Sequence, residues 1–108
     1  MNNNSLISPR KEEPEDGVLY LVGTPIGNLN DISLRALNIL KNVSLVACED
    51  TRQTKKIMSK FHISNKLISF NKHNSSIKIP KLLKDLKEGK SIAIVSDAGM
   101  PGISEIGR

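Results

Sequence analysis

Val18-Leu19-Tyr20-Leu21-Val22 runs without a polar interruption and then gives way to Gly23-Thr24-Pro25-Ile26-Gly27-Asn28-Leu29. A short continuous apolar run bounded by Gly and Pro predicts a strand covered on both faces. Pro25 biases Thr24 toward an extended backbone, and the flanking glycines permit turns with little bulk. Three further runs repeat the pattern at Leu45–Cys48, Leu67–Phe70 and Ile92–Val95. Segments of helical period separate them. Ile32, Ala36, Ile39, Leu40 and Val43 share one stripe, with Asp31 expected as the N-cap. Thr54, Ile57, Met58 and Phe61 form the apolar side of a second helix, opposite Arg52, Lys55 and Lys56. In a third, Ile79, Leu82, Leu83 and Leu86 are expected to face inward, Pro80 to sit in the first turn and Gly89 to cap the end. Strands alternating with helices predict an α/β fold, an open parallel sheet with flanking helices.

The totals are compatible with that reading. The chain has 108 residues, 38% of them hydrophobic, with one cysteine, no tryptophan and a net charge of +5. Collagen-like, disulfide-rich and wholly disordered classes are excluded, and no apolar run approaches the ~20 residues of a membrane span. Residues 1–16 combine an Asn/Ser tract with Pro9, Pro14 and mixed charges, and are expected to be a flexible leader; residues 17–108 form the α/β domain. No signal-peptide stretch is present in the leader, and the lone Cys48 suits a reducing cytoplasmic location. Charge is uneven: residues 1–54 carry 5 Lys/Arg against 7 Asp/Glu, and residues 55–108 carry 11 against 4. A basic half can attract a polyanion such as RNA, although Lys-rich helices also have solvated faces for no other reason.

In open α/β sheets ligands bind beyond the carboxyl ends of the strands. The segments there read GTPIGNLND, EDTRQT, NKHN and SDAGMPGISE. The dinucleotide pattern GxGxxG and the phosphate loop GxxxxGK[ST] are both absent. Ser96-Asp97-Ala98-Gly99-Met100-Pro101-Gly102 offers a hydroxyl, a carboxylate and two glycines within one turn. That carboxylate can accept hydrogen bonds from ribose hydroxyls or favour a positive centre. The competing reading makes Asp97 a cap for a helix beginning near Ser104. Glu49 and Asp50 close the second strand as helix-capping acids or as proton acceptors, and Arg52 can grip a phosphate. His73 is a lone loop histidine. His62 lies eleven residues away with no cysteine beside either, so no metal site is expected. No nucleophile elbow is present, and Tyr20, Phe61 and Phe70 all fall in apolar patterns, which argues against stacked-base RNA recognition.

Taken in order, LYLVGTPIGNLNDISLRAL, ACEDTRQT, ISFNKHN and SIAIVSDAGMPGISE resemble the rRNA small-subunit methyltransferase I family of the tetrapyrrole-methylase-like, S-adenosylmethionine-dependent superfamily. The resemblance runs from Val18 to Arg108. It implies transfer of a methyl group from S-adenosyl-L-methionine to the ribose 2′-oxygen of a cytidine in the 16S rRNA of the small ribosomal subunit, by a homodimeric two-domain enzyme. Residue by residue, it implies cofactor contacts at Pro25, Ser96, Asp97 and Met100. It puts Glu49, Asp50 and Arg52 on the substrate side; the rim position of Glu49 and Asp50 makes either the expected catalytic proton acceptor, and His73 is a further expected substrate contact. The family's loop after the third strand usually reads like YHEHN; here Phe70-Asn71-Lys72-His73-Asn74 lacks the first His and the acid.

Family members run to well over twice this length. The resemblance therefore implies the N-terminal part of such an enzyme, ending inside the helix after SDAGMPGISE, without a fifth strand or the C-terminal domain and inactive alone. Two other readings stay open: a methylase of a porphyrin or other small acceptor on the same fold, and a non-catalytic half-domain binding RNA or partners through its Lys-rich face.

Overall fold

The computed structural model of the chain describes residues 12–25, 27–96 and 102–107. Its elements follow the expected alternation: β1 (Leu19–Gly23), a 3-10 turn (Leu29–Asp31), α1 (Leu34–Asn42), β2 (Leu45–Cys48), α2 (Thr51–Lys60), β3 (Leu67–Ser69), α3 (Ser75–Lys87), β4 (Ile92–Ser96) and β5 (Gly102–Ile106). They build one sheet in the order β3-β2-β4-β1-β5. The pairs β1–β4, β2–β4 and β2–β3 are parallel.

Alternation along each strand divides the core between two faces. Val18, Tyr20, Val22, Val46, Cys48, Ala93 and Val95 join Ala36, Ile39 and Leu40 of α1 and Ile57 of α2. On the other face Leu45 and Ile92 pack with Leu82 of α3, flanked by Leu19, Ile68, Phe70, Leu86 and Ile94. Helices therefore cover both faces of the sheet. Ile39 and Leu40 are fully buried, and each contributes about 1.5–3 kcal/mol by leaving water.

Four sequence expectations are corrected. First, no helix begins near Ser104: Gly102–Ile106 is a fifth strand, antiparallel to β1, so the sheet is mixed instead of purely parallel. The β1 edge needs partners for its backbone groups, and the alternation of this segment turns Ile103 onto the α1 side of the core. Second, α1 is capped by Ser33, whose Oγ accepts from the Ala36 amide at 3.0 Å; Asp31 ends the preceding 3-10 turn.

Third, α3 starts earlier than expected. The Asn71 amide donates to Asn74 Oδ1 at 2.9 Å, and Asn71 Oδ1 accepts from the His73 and Asn74 amides at 2.8 and 3.1 Å. This reciprocal turn launches the helix at Ser75 and leaves Pro80 inside it, beyond the first turn. Fourth, the inward stripe of α3 runs through Leu82 and Asp85, while Ile79 and Leu83 are 42% and 51% exposed.

Residues 12–16, the end of the expected leader, lie against α1. Arg35 forks onto Glu13 with Nε–Oε1 of 2.8 Å and Nη2–Oε2 of 2.6 Å, and also reaches Glu105 of β5 at 3.0 Å.

Candidate active site

Because β1 to β4 are mutually parallel, their carboxyl ends share one edge. Register brings Gly23 beside Ser96, Val95 beside Cys48, and Cys48 beside Ser69. At a spacing of ~4.8 Å per strand, this lip spans about 15 Å from β1 to β3.

There the early loop is fastened to the last residue of β4. The Thr24 amide donates to the Ser96 carbonyl at 2.9 Å, and Thr24 Oγ1 donates to the same oxygen at 3.3 Å. Thr24 is 2% exposed, and Pro25 after it is also buried. β1 thus leaves the sheet only after its chain is fastened to the last residue of β4. Beside this knot a cavity of about 160 Å³ is lined by Gly23, Pro25, Asp31, Ser33 and Gly102 among others. That volume is about half the lower end of small-molecule pockets, ~300 Å³. Asp97 and Met100, expected beside Ser96 in the cofactor set, lie outside the described residues.

Two strands along, β2 delivers Glu49 and Asp50. Asp50 is the N-cap of α2: its Oδ1 accepts from the Arg52 amide at 2.9 Å and from Arg52 Nε at 3.3 Å. These two bonds from Arg52 hold the Asp50 carboxyl below the usual range. A carboxylate stabilised in its charged form is a weaker proton acceptor. Glu49 is exposed at the same strand end. Arg52 stands outside, 87% exposed by its side chain, and His73 is exposed in the turn after β3.

The edge therefore gathers Pro25, Ser96, Glu49, Asp50, Arg52 and His73 along one side of the sheet, with Pro25 and Ser96 adjacent and His73 at the far strand. Thr24 was missed as a site residue; its place between a strand-ending glycine and a proline was the available signal. No group of three or more metal-ligating side chains occurs among the described residues, and no helix there is long and apolar enough to cross a membrane.

Residues 18–108 match the profile of the Tetrapyrrole (Corrin/Porphyrin) Methylases. The chain is similar to proteins named ribosomal RNA small subunit methyltransferase I. That of Thermotoga maritima is 55% identical over 91 residues, 84% of this chain and 41% of that protein. That of Halalkalibacterium halodurans is 50% identical over 97 residues, covering 90% of this chain and 34% of the relative. The Bacillus subtilis protein is 52% identical over 91 residues, covering 84% and 31% respectively. The chain spans between 31% and 41% of the length of these relatives.

Proposed function

Because the chain belongs to the tetrapyrrole (corrin/porphyrin) methylase family, we propose that it forms the N-terminal part of an S-adenosyl-L-methionine-dependent methyltransferase acting on the ribose 2′-oxygen of a cytidine in 16S rRNA. The observation that carries this reading is the lip itself: Thr24 bonded to the Ser96 carbonyl, with Pro25 buried beside it. The names of the relatives support rRNA over a porphyrin as the acceptor. In this reading the full-length enzyme works in the cytoplasm as a homodimer.

The residues at the lip fit the cofactor. A nucleoside-sized ligand needs an apolar wall and close main-chain approach. Buried Pro25 supplies the first, and Gly23 and Gly102 line the same cavity without side chains. Ser96, Asp97 and Met100 are assigned to the same grip. Bound there, S-adenosylmethionine supplies a methyl group already activated by its sulfonium.

The chain's own task is then positioning, which accounts for much of the acceleration in such a transfer. The ribose hydroxyl must lose its proton as the methyl arrives. Asp50, engaged by Arg52 and held in its charged form, is suited to orienting that hydroxyl; Glu49 at the same strand end is the proton acceptor. Arg52 and His73 are assigned to the RNA, Arg52 through a phosphate. A cavity of about 160 Å³ cannot enclose the cofactor, so these residues alone are expected to be inactive.

A chimera tests the reading, with residues 18–108 replacing the matching segment of the Thermotoga maritima relative. It should transfer labelled methyl groups to unmethylated small ribosomal subunits and not to a porphyrin precursor, and Glu49→Gln should slow single turnover by ~10²-fold or more. Methylation of the porphyrin alone would overturn the proposal, and an unchanged Glu49→Gln rate would remove the proton-acceptor assignment.

A further inference from the structure

On the face opposite α1 and α2, α3 roofs a cavity of about 330 Å³. Leu45, Ile68, Leu82 and Ile92 give it an apolar lining, while Lys66, Lys78, Lys81 and Lys90 stand around it with a single acid, Asp85. Its floor lies away from the lip, for Leu45 and Ile92 open their strands at the amino edge of the sheet, and Lys78 alone reaches toward the carboxyl end of β3.

Three of the four lysines are held in different ways. Lys78 Nζ donates to the Ser69 carbonyl. Lys81 Nζ donates to Asp85 Oδ1 and Oδ2 at 3.0 and 3.1 Å, and Lys90 Nζ lies 3.6 Å from Oδ1. The Asp85 side chain is only 8% exposed, whereas those of Lys81 and Lys90 are 69% and 52% exposed. The carboxylate anchors two ammonium groups from below and leaves their outer sides to solvent. One acid among four lysines leaves a surplus of positive charge at the mouth.

Lys78 and Lys81 flank Leu82 and Asp85, the buried residues of this helix, so their charges stand at the rim of the cavity. A volume of this size accepts a small organic group.

We propose that this cavity is a second RNA site, taking one unpaired nucleotide of a single strand with its base on the apolar lining and its phosphates on Lys66, Lys81 and Lys90. The inference rests on the proposed rRNA substrate and extends it to a face that does no chemistry. An acidic peptide is the competing occupant, and competition by polyglutamate separates it from RNA.

The test titrates the chain with a fluorescein-labelled, cytidine-rich single-stranded RNA of about 12 nucleotides. Anisotropy is followed between about 50 and 200 mM salt. The double variant Lys66→Gln/Lys90→Gln should weaken binding and flatten the plot of log affinity against log salt by about 1.4, at ~0.7 per lost phosphate contact. Across that range the salt-induced loss of affinity should shrink about sevenfold. Lys41→Gln/Lys56→Gln, on α1 and α2, should bind as the parent does. Asp85→Asn, which frees two ammonium groups, should tighten binding.

Equal losses from both double variants, no loss from either, or polyglutamate competing as well as RNA at equal charge would each overturn the proposal. Failure of the methylase reading looks different. There the chimera would leave small subunits unmethylated while Lys66→Gln/Lys90→Gln still weakened RNA binding.

Discussion

Replacing Thr24 by valine separates the two bonds that fasten β1 to β4 at the lip. Valine keeps the β-branched shape and the amide bond to the Ser96 carbonyl at 2.9 Å. It deletes only the hydroxyl bond, which at 3.3 Å is long for an O–H···O contact. A neutral hydrogen bond contributes about 0.5–1.5 kcal/mol net. The long geometry argues for the lower end, and the carbonyl left behind is still satisfied by the amide. Thr24→Val should therefore cost about 0.5 kcal/mol, a fall in Tm of about 2–4 °C for a domain of this size.

Thr24→Pro removes the amide donor as well as the hydroxyl and leaves the Ser96 carbonyl without either of these two bonds. It should cost about 1–3 kcal/mol and make the lip itself unstable. Urea melts followed by circular dichroism read the stabilities, and calorimetric titration of the chimera with S-adenosylmethionine reads the site. The expected pattern is near-parental affinity for Thr24→Val and loss of binding for Thr24→Pro. A cost above about 2 kcal/mol for Thr24→Val, or abolished cofactor binding in an otherwise stable valine variant, would refute the claim that main-chain atoms hold this lip.

Two further outcomes follow from the helices. Ser33→Ala should lose about 1 kcal/mol by uncapping α1, whereas Asp31→Ala should stay within about 0.5 kcal/mol of the parent; equal effects in thermal melts would disprove the capping assignment. Asp85 has its carboxyl lowered, first by the hydrogen bond from Lys81, with Lys90 adding to it. A lowered folded-state value means that the unfolded chain binds the proton more readily. The contribution is complete above the ordinary carboxylate range, ~4, and fades as pH falls through the folded value. Urea midpoints should therefore drop on acidification, with a shallower drop in Asp85→Asn; identical acid limbs would refute the assignment.

Much of this architecture was legible because burial and sequence pattern agree. Leu45–Cys48 is fully buried and reads as an uninterrupted apolar run, so its bounds matched. The early glycine-proline turn marked the lip for a similar reason: β1 ends where the last carbonyl of β4 captures the Thr24 amide. Local signals failed where two readings competed within a few residues. Asp31 and Ser33 both suit a cap, and the choice fell to Ser33 because the 3-10 turn had already engaged the residues before it. Pro80 pointed to a helix start, but the Asn71–Asn74 turn had begun the helix earlier. Gly102–Ile106 was read from its neighbours as helical. Its strand depends on the open edge of β1, which is remote in sequence. The roles of Asp97 and Met100 remain those read from the motif.

The pairing of β1 has a consequence for biosynthesis. The first strand to be made finds its hydrogen-bonding neighbours only in the last two, Leu19 matching both Ile92 and Ile106. At about 5–20 residues per second of translation, the Val18–Val22 segment waits several seconds in the nascent chain before either neighbour emerges. The β2–β3 pair can close meanwhile, while β1 stays without sheet partners until β4 has been made.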